Sequence, residues 1–523
     1  METPLTPLEF MRRARKLHSG REAVVDGDVR LAYGEFGDRC DRWAACLARL
    51  DVGRGDRVAT IAPNTYQHLE QFYAIPQRGA VIVPMNYRLS AEDFVYMVTH
   101  SGAKVLCVHS DYLDLIDSVR ERMPGVRHFV ALEGEGHGWL QYEALLQGNI
   151  HPIEPAEIAE TDLLAINYTS GTTSRPKGVM ITHRNAWINS VGVLAHWPMT
   201  PADRYLWTLP MFHANGWTFP YTVTAAGAAH ICLRRVDAAN IYQHVNRELV
   251  THLCAAPTVL IAIANGPEPM RRELRRGVRV FTAGAAPAAA TIERMEAGLG
   301  WEVTQVYGLT ETAPFISICQ PLPEHSPLSG AERAVVKARQ GVELITSGEL
   351  RVVDHEMRDV PRDGATLGEI VARGNVVMRG YYNDPEATTA AFAGGWFHSG
   401  DAAVVHPDGY VEIQDRFKDV IISGGENISS IEVEGALLRH PDVIEVAVVG
   451  MPHEKWGESP HAFVVLRAGV EVTEDELRDF ARRTLAHFKV PTAYHFVSEL
   501  PKTATGKIQK FVLRGRRSAI ARQ

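Results

Sequence analysis

The segment INYTSGTTSRPKGVMITHRN, residues 166–185, packs hydroxyls, glycines and one lysine between two apolar runs. LLAINYT and GVMITH are rich in β-formers, so Thr169 to Gly178 is predicted to be a loop between two strands. Gly171 and Gly178 let backbone N–H groups turn towards an anion without a Cβ clash. Thr169, Ser170, Thr172, Thr173 and Ser174 add hydroxyl donors, and Lys177 adds a point charge. That chemistry is phosphate holding. The loop departs from the common nucleoside-triphosphate pattern G-x-x-x-x-G-K-[ST], because Pro176 replaces the second glycine and Gly178 replaces the metal-binding hydroxyl. An ordinary kinase or GTPase loop is therefore excluded.

Such a loop needs a sheet to present it. YGEFGDRCDRWAACLARL has helical periodicity, whereas DRVATIAP and AKVLCVHS are strand-like, so the first part predicts an α/β fold of helix-covered sheets. GAAPAAATIERMEAG is biased towards helix. Around residue 415 the pattern changes, and the charged hexamer Gln414 to Asp419 between two β-rich runs predicts a linker. A shorter α+β pattern follows. Ser429 with Glu432, and Thr473 with Glu476, have capping-box spacing and predict two helix starts. The second helix is expected to bury Leu477, Phe480, Ala481, Leu485 and Phe488, with EVAVVG and AFVVLR as strands.

The chain has 523 residues, 46% of them hydrophobic, enough for more than one core. A net charge of −8 with interspersed charges argues against nucleic acid or an anionic membrane as partner. Residues 1–20 carry no apolar core of signal-peptide length, and no uninterrupted apolar stretch is long enough for a bilayer. A cytoplasmic metabolic protein is the expectation. Cys40, Cys46, Cys107, Cys232, Cys254 and Cys319 are scattered without a C-x-x-C pair, which predicts buried free thiols rather than zinc or disulfides.

The hydroxyl-rich loop closely resembles the signature loop of the adenylate-forming enzymes, which include acyl-CoA synthetases, peptide-synthetase adenylation domains and beetle luciferases; in that family it grips the β and γ phosphates of ATP. The resemblance extends from LAYGEFGDRCDRWAACL to LPKTATGKIQK. It implies a large, subdivided N-terminal AMP-binding domain over 1–415 and a small mobile C-terminal domain over 416–523, with the active site between them. The implied chemistry is activation of a carboxylic acid by ATP to acyl-AMP and pyrophosphate, followed by acyl transfer to a thiol.

The resemblance also distributes roles. In QVYGLTETAP, Tyr307 would pack on adenine beside Gly308, Thr310 would bond the α-phosphate and Glu311 would hold Mg2+. In FTAGAAPAAA, Gly284, Ala285 and Ala286 would border adenine and the acyl chain, with the Ala285 methyl towards the acyl pocket. Asp401 of GWFHSGDAAVV and Arg416 of QDRFKD would grip the ribose diol. Lys507 matches the lysine that reaches the reacting carboxylate and α-phosphate, while Lys502 and Lys510 are neighbours without that role. His213 of PMFHANGWTFPY would border the substrate carboxylate, with Trp217 and Phe219 near the acyl tunnel. No general base is needed, since the acid is already ionised at neutral pH. Gly424 and Gly425 would line a pantetheine channel, and Lys418 matches the hinge position.

CoA is the acceptor this pattern implies. A free-standing acyl-AMP ligase that loads a carrier protein and a luciferase-like oxidation of the adenylate share the fold and stay open. A non-catalytic nucleotide-binding protein is opposed by the presence of both Glu311 and Lys507. Trp217, Phe219, Ala285 and Tyr307 suggest an apolar pocket for a medium-chain or aryl acid, and MFHANGW most resembles the medium-chain and methylmercaptopropionate-type ligases. The expected partners are ATP, CoA and a small carboxylic acid, without nucleic acid or a membrane span; a homodimer is compatible with this.

Overall fold

The helix Tyr33–Arg49 turns its apolar stripe, Phe36, Cys40, Trp43, Ala44 and Leu47, wholly inward. It packs on the helix Tyr66–Gln77, where Phe36 meets Tyr73 edge-on at 5.7 Å and Trp43 donates to Gln71 Oε1 at 2.8 Å. Burying each such aromatic or aliphatic side chain contributes about 1.5–3 kcal/mol. The computed structural model describes residues 2–148, 154, 156–169, 175–285, 287–417, 419–424, 426–502 and 508–515.

Four sheets order these residues. In the eight-stranded sheet the antiparallel pair Leu163–Thr169 and Lys177–Thr182 joins the parallel strands Val81–Met85, Arg57–Ile61 and Ala103–Val108. The nine-stranded sheet carries the parallel run Arg204–Leu206, His252–Ala255, Arg279–Thr282 and Glu302–Gly308. A four-stranded antiparallel sheet follows, containing Phe397–Val405 and Val411–Arg416. The last, five-stranded sheet begins at Ile421–Ser423 and is centred on Gly457–Leu466. It has its own core, built on Ile421, Val433, Leu437, Val448, Val464 and Leu477. The protein is thus an α/β molecule with a large N-terminal part of several sheets and a small C-terminal part.

Most predicted elements form. The strand-like segments become Arg57–Ile61 and Ala103–Val108, and both predicted helix starts form. Thr473 and Glu476 make a full capping box before Glu474–Arg482, whereas Ser429 caps Ser430–Leu437 with its hydroxyl alone, Glu432 turning instead to Lys489. All six cysteines are buried and free. Among the described residues, no helix is long and apolar enough to cross a membrane.

Four expectations need correction. The hydroxyl loop is shorter than Thr169 to Gly178, because Thr169 pairs with Lys177 and Tyr168 with Gly178 in the antiparallel ladder. The linker is shorter than Gln414 to Asp419, because Val411–Arg416 is a strand whose Arg416 pairs with Asp401. Phe488 is 43% exposed: the helix stops at Arg482, so the helical period no longer applies at the 3-10 turn His487–Lys489. The alanine-rich stretch is helical only over Ala289–Glu293 and then widens into a π-turn, Arg294–Leu299.

Candidate active site

Neighbouring parallel strands that end together create a crevice at their carboxyl ends. Here Arg279–Thr282 and Glu302–Gly308 run in register, Thr282 opposite Gln305, and deliver Gly284–Ala285 and Tyr307–Glu311 to one edge. Gly284 has φ +88°, a conformation that favours glycine, and both it and Ala285 are exposed. Gly308 is required for a different reason: a Cβ there would lie 1.7 Å from the Pro314 carbonyl oxygen. The chain can therefore fold back tightly after Tyr307 and place Thr310–Thr312 in a 3-10 turn. Ala286 lies outside the described residues.

Asp401 is the centre of a polar cluster. Ladder pairing sets Asp401 opposite Arg416, whose Nε is 3.2 Å from Asp401 Oδ1. The Tyr307 hydroxyl donates to Asp401 Oδ2 at 2.8 Å, and the Asp401 N–H donates to Ser399 Oγ at 3.1 Å. Burial, followed by the Asp401 charge, pushes the Tyr307 phenol well above its ordinary value, so it stays a neutral donor. A carboxylate held from two sides in this way is oriented before any diol reaches it.

A second cluster joins Lys177 to Glu311 through Tyr381, a residue outside the sequence expectations. Tyr381 sits in the two-residue strand Gly380–Tyr381, which adds to the strand of Lys177. Lys177 Nζ lies 5.0 Å over the Tyr381 ring, and the Tyr381 hydroxyl donates to Glu311 Oε1 at 2.9 Å. The Met378 N–H donates to the Glu311 carbonyl at 2.7 Å, which pins the turn. Burial pushes the Glu311 carboxyl up, opposed by the Tyr381 hydrogen bond and the Arg416 charge. Such a site favours a bound cation. Among the described residues no group of three or more His, Cys, Asp or Glu surrounds it. That donor set fits magnesium, which takes one or two carboxylates and completes its octahedron with phosphate oxygens and water. Of the loop itself, Thr169 and Lys177 are opposed strand ends, while Ser170, Gly171, Thr172, Thr173 and Ser174 lie outside the described residues.

The segment 207–218, which carries His213 and Trp217, is clamped by three asparagines. Asn64 Nδ2 donates to the Trp207 and Leu209 carbonyls at 2.7 and 3.0 Å, and Asn167 Nδ2 to Phe212 at 3.2 Å. Asn189 accepts from Thr218 Oγ1 at 3.3 Å and donates to the Phe315 carbonyl at 2.8 Å. These bonds hold an unusual backbone, since Ala214, Asn215, Gly216, Trp217 and Thr218 have φ of 40°, 48°, 54°, 55° and 63°. Each non-glycine residue in that region costs about 1–2 kcal/mol, so the surroundings must over-determine it. His213 is half-buried beside Phe212, with ring centroids 6.5 Å apart. Trp217, 4% exposed, meets Phe315 edge-on at 5.3 Å. Phe219 has no exposed surface and stacks on Tyr205 at 4.7 Å, flanked by Trp197 and Phe281. It is a core residue, because the helix Phe219–Ala226 turns it into the interior.

In the C-terminal part, Gly424 is exposed at φ +62° in the turn between Ile421–Ser423 and Glu426–Ile428. Its N–H donates to the Trp456 carbonyl at 2.8 Å, and a Cβ there would come 2.9 Å from the Trp456 ring. Trp456 and Ile422 are 45% and 56% exposed, and an exposed tryptophan against the Gly424 turn is a feature the sequence expectations did not include. Gly425, Lys418 and Lys507 lie outside the described residues.

The chain matches the AMP-binding enzyme family over residues 10–382 and the AMP-binding enzyme C-terminal domain over 432–507. It is similar to 4-hydroxybutyrate–CoA ligase 2 of Metallosphaera sedula, with 42% identity covering 99% of this chain and 95% of that protein. Acetate/butyrate–CoA ligase AAE7, peroxisomal, of Arabidopsis thaliana is also 42% identical, covering 98% of this chain and 94% of that protein. In structure the chain resembles the anthranilate CoA ligase AuaEII in complex with anthranoyl-AMP, with a TM-score of 0.90, 25% identity and full coverage of both chains. It also resembles a benzoate CoA ligase from Burkholderia xenovorans LB400, with a TM-score of 0.85, 26% identity and 97% and 99% coverage. The chain therefore belongs to the AMP-binding enzyme family, within the branch of acyl-CoA ligases that these relatives represent.

Proposed function

We propose that this protein joins a small carboxylic acid to CoA in two steps at the crevice between Tyr307, Asp401 and Glu311. A carboxylate oxygen attacks the α-phosphorus of ATP, the bond to the β-phosphate bridge breaks, and acyl-AMP and pyrophosphate form. The CoA thiolate then attacks the acyl carbon and AMP leaves. The observation that carries this reading is the convergence of Tyr307, Arg416 and Asp401 beside the Lys177–Tyr381–Glu311 chain.

In this reading the Asp401–Arg416 pair grips the ribose, Tyr307 packs on adenine beside Gly308, and Thr310 meets the α-phosphate. Gly284, Ala285 and Ala286 border adenine and the acyl chain. Lys177 and the hydroxyls of Thr169, Ser170, Thr172, Thr173 and Ser174, with Gly171, hold the outer phosphates. Glu311 would hold Mg2+, which supplies charge neutralisation on the phosphates. Lys507 serves adenylation, and Gly424 and Gly425 serve the pantetheine arm. Both lie beyond the same linker, so the residues after Lys418 turn as a body between the steps, while Arg416 stays paired with Asp401.

His213 and Trp217 stand on the acid side, in a strained segment held by Asn64, Asn167 and Asn189. The aromatic surroundings of Trp217 favour a medium-chain or aryl acid. Relatives named for cinnamate, anthranilate and benzoate support the aryl choice, whereas those named for 4-hydroxybutyrate, 2-methylpropanoate and acetate/butyrate point to shorter acids, which an acid series starting at acetate includes. The cytoplasm is the proposed location, in keeping with the interspersed charges and the six free, buried cysteines.

Incubation with ATP, magnesium and acids from acetate to palmitate and benzoates, with hydroxylamine as trap, tests the first step. Formation of acyl-CoA on adding CoA tests the second. Acid-dependent pyrophosphate release without acyl-CoA would replace CoA by a carrier protein as acceptor, and no pyrophosphate release with any acid would end the proposal.

A further inference from the structure

Two lysines flank Lys507 in the tail, and the structure assigns both to carboxylates. Lys502 Nζ is 2.7 Å from Glu445, and Lys510 Nζ is 2.9 Å from Glu434. A β-bridge between Lys502 and Ile508, with the Gln509 N–H donating to the Pro501 carbonyl at 2.8 Å, brings the two ends of the intervening stretch together. The residue after Lys507 is thus a fixed backbone position.

Lys510 does more than neutralise a neighbour. Its side chain and that of Glu434 are each 15% exposed, and Glu434 Oε1 also accepts the Val448 N–H at 2.8 Å, so the carboxylate cannot swing away without leaving that donor unmet. Lys510 also donates to the Ser430 hydroxyl, and the Ser430 hydroxyl in turn donates to Asp415. The Ser430 N–H reaches the same Asp415 oxygen at 3.0 Å. Asp415 precedes Arg416 in one strand, so their side chains leave on opposite faces. Arg416 faces the ribose aspartate while Asp415 faces the C-terminal part. Four residues after Lys510, Arg514 pairs with Asp419 at 2.8 Å. The helix Lys510–Gly515 is therefore tied to residues on both sides of Lys418.

A buried ion pair adds little net stability over an apolar pair, because desolvation offsets attraction, but it specifies geometry. We infer that Lys510, through Glu434, Ser430 and Asp415, is a positioning residue for adenylation: it holds the helix that follows Lys507 in register with the hinge-side strand. This rests on the assignment of adenylation to Lys507.

The test measures the two half-reactions separately on the full chain. Lys510→Met is expected to lower acid-dependent pyrophosphate release about 10- to 100-fold, while acyl-CoA formation from supplied acyl-AMP stays within about threefold. Lys510→Arg, which keeps the charge and the reach, is expected to restore most of the pyrophosphate release. Glu434→Gln should give the same split as Lys510→Met, and replaces it if that variant does not fold. Lys507→Ala is run in parallel. If it leaves pyrophosphate release intact, the assignment of Lys507 falls, and the positioning role with it. If Lys507→Ala loses the step but the Lys510 and Glu434 variants keep it, or lower both half-reactions alike, only the positioning role is overturned.

Discussion

The Tyr307 hydroxyl stands 2.8 Å from Asp401 Oδ2, although the two residues are 94 positions apart and come from different sheets. The ring expected to pack on adenine thus also sets the carboxylate expected to hold ribose. Tyr307→Phe keeps the ring and removes the bond. A hydrogen bond to a charged group is worth about 1.5–3 kcal/mol, so the KM for ATP should rise about tenfold or more, with little change in kcat. Steady-state kinetics with ATP as the varied substrate checks this, and an unchanged KM would make the bond incidental.

Glu311 and Tyr381 should behave as a pair. Glu311→Gln keeps the shape and loses the charge, so pyrophosphate release should fall by roughly 100-fold or more, with no loss of fold by circular dichroism. Tyr381→Phe leaves the carboxylate but frees its orientation, and should cost less, about tenfold. Normal acyl-AMP formation by the Gln variant would remove Glu311 from the site.

Trp217 combines an apolar volume with φ +55°. Shrinking it should shift preference towards longer or bulkier acids, read as the ranking of kcat/KM across an acid series. Between two small replacements, Trp217→Gly should be more stable than Trp217→Ala by about 1 kcal/mol, because only glycine occupies that backbone region without strain. Chemical denaturation of the two variants measures the difference. An unchanged acid ranking would mark Trp217 as packing only.

Domain turning predicts defects confined to the second step. Lys418→Pro should release pyrophosphate yet stall before acyl-CoA, because the ring fixes φ at the hinge. Gly424→Leu and Gly425→Leu should do the same by blocking the thiol's approach; at Gly424 even a Cβ already crowds Trp456 at 2.9 Å. Equal loss of both half-reactions in Lys418→Pro would contradict a turning C-terminal domain.

Buried histidines predict acid lability. His183 is fully buried, its Nδ1 2.9 Å from Thr6 Oγ1, and burial pushes its pKa down from 6.5 to about 4. Between those values the unfolded chain binds the proton and the folded chain does not, so stability is present above about pH 6.5 and is lost as the pH falls towards 4. The loss is on the order of a few kcal/mol. His183→Gln should flatten this dependence, seen as a smaller difference in urea midpoint between pH 7 and pH 5. An equal difference in both proteins would place the acid lability elsewhere.

Much of this protein is determined by sequence alone, because local chemistry is enough. The helix Tyr33–Arg49 follows from its apolar stripe, and the starts at Ser429 and Thr473 follow from side chains that cap their own helices three residues on. Tyr307, Glu311, Asp401 and Arg416 were legible as motif members, since each occupies a short, ordered run of residue types. What only the tertiary structure decided are the relationships between those runs. Tyr381 carries no signal of its own, for a two-residue strand has no periodicity, and it gains its role only when that strand adds to the ladder of Lys177 and brings its hydroxyl to a carboxylate 70 positions away. Phe219 shows the same dependence: the resemblance sets it near an acyl tunnel, and only packing between sheets decides that it stacks on Tyr205 with no exposed surface. Lys502 and Lys510 differ from Lys507 in the sequence only by their place in the motif, and only the tertiary structure gives them their partners, Glu445 and Glu434. Side-chain pairing across sheets depends on which faces are brought together, and hydrophobic burial summed over the whole molecule selects that, not any local stretch.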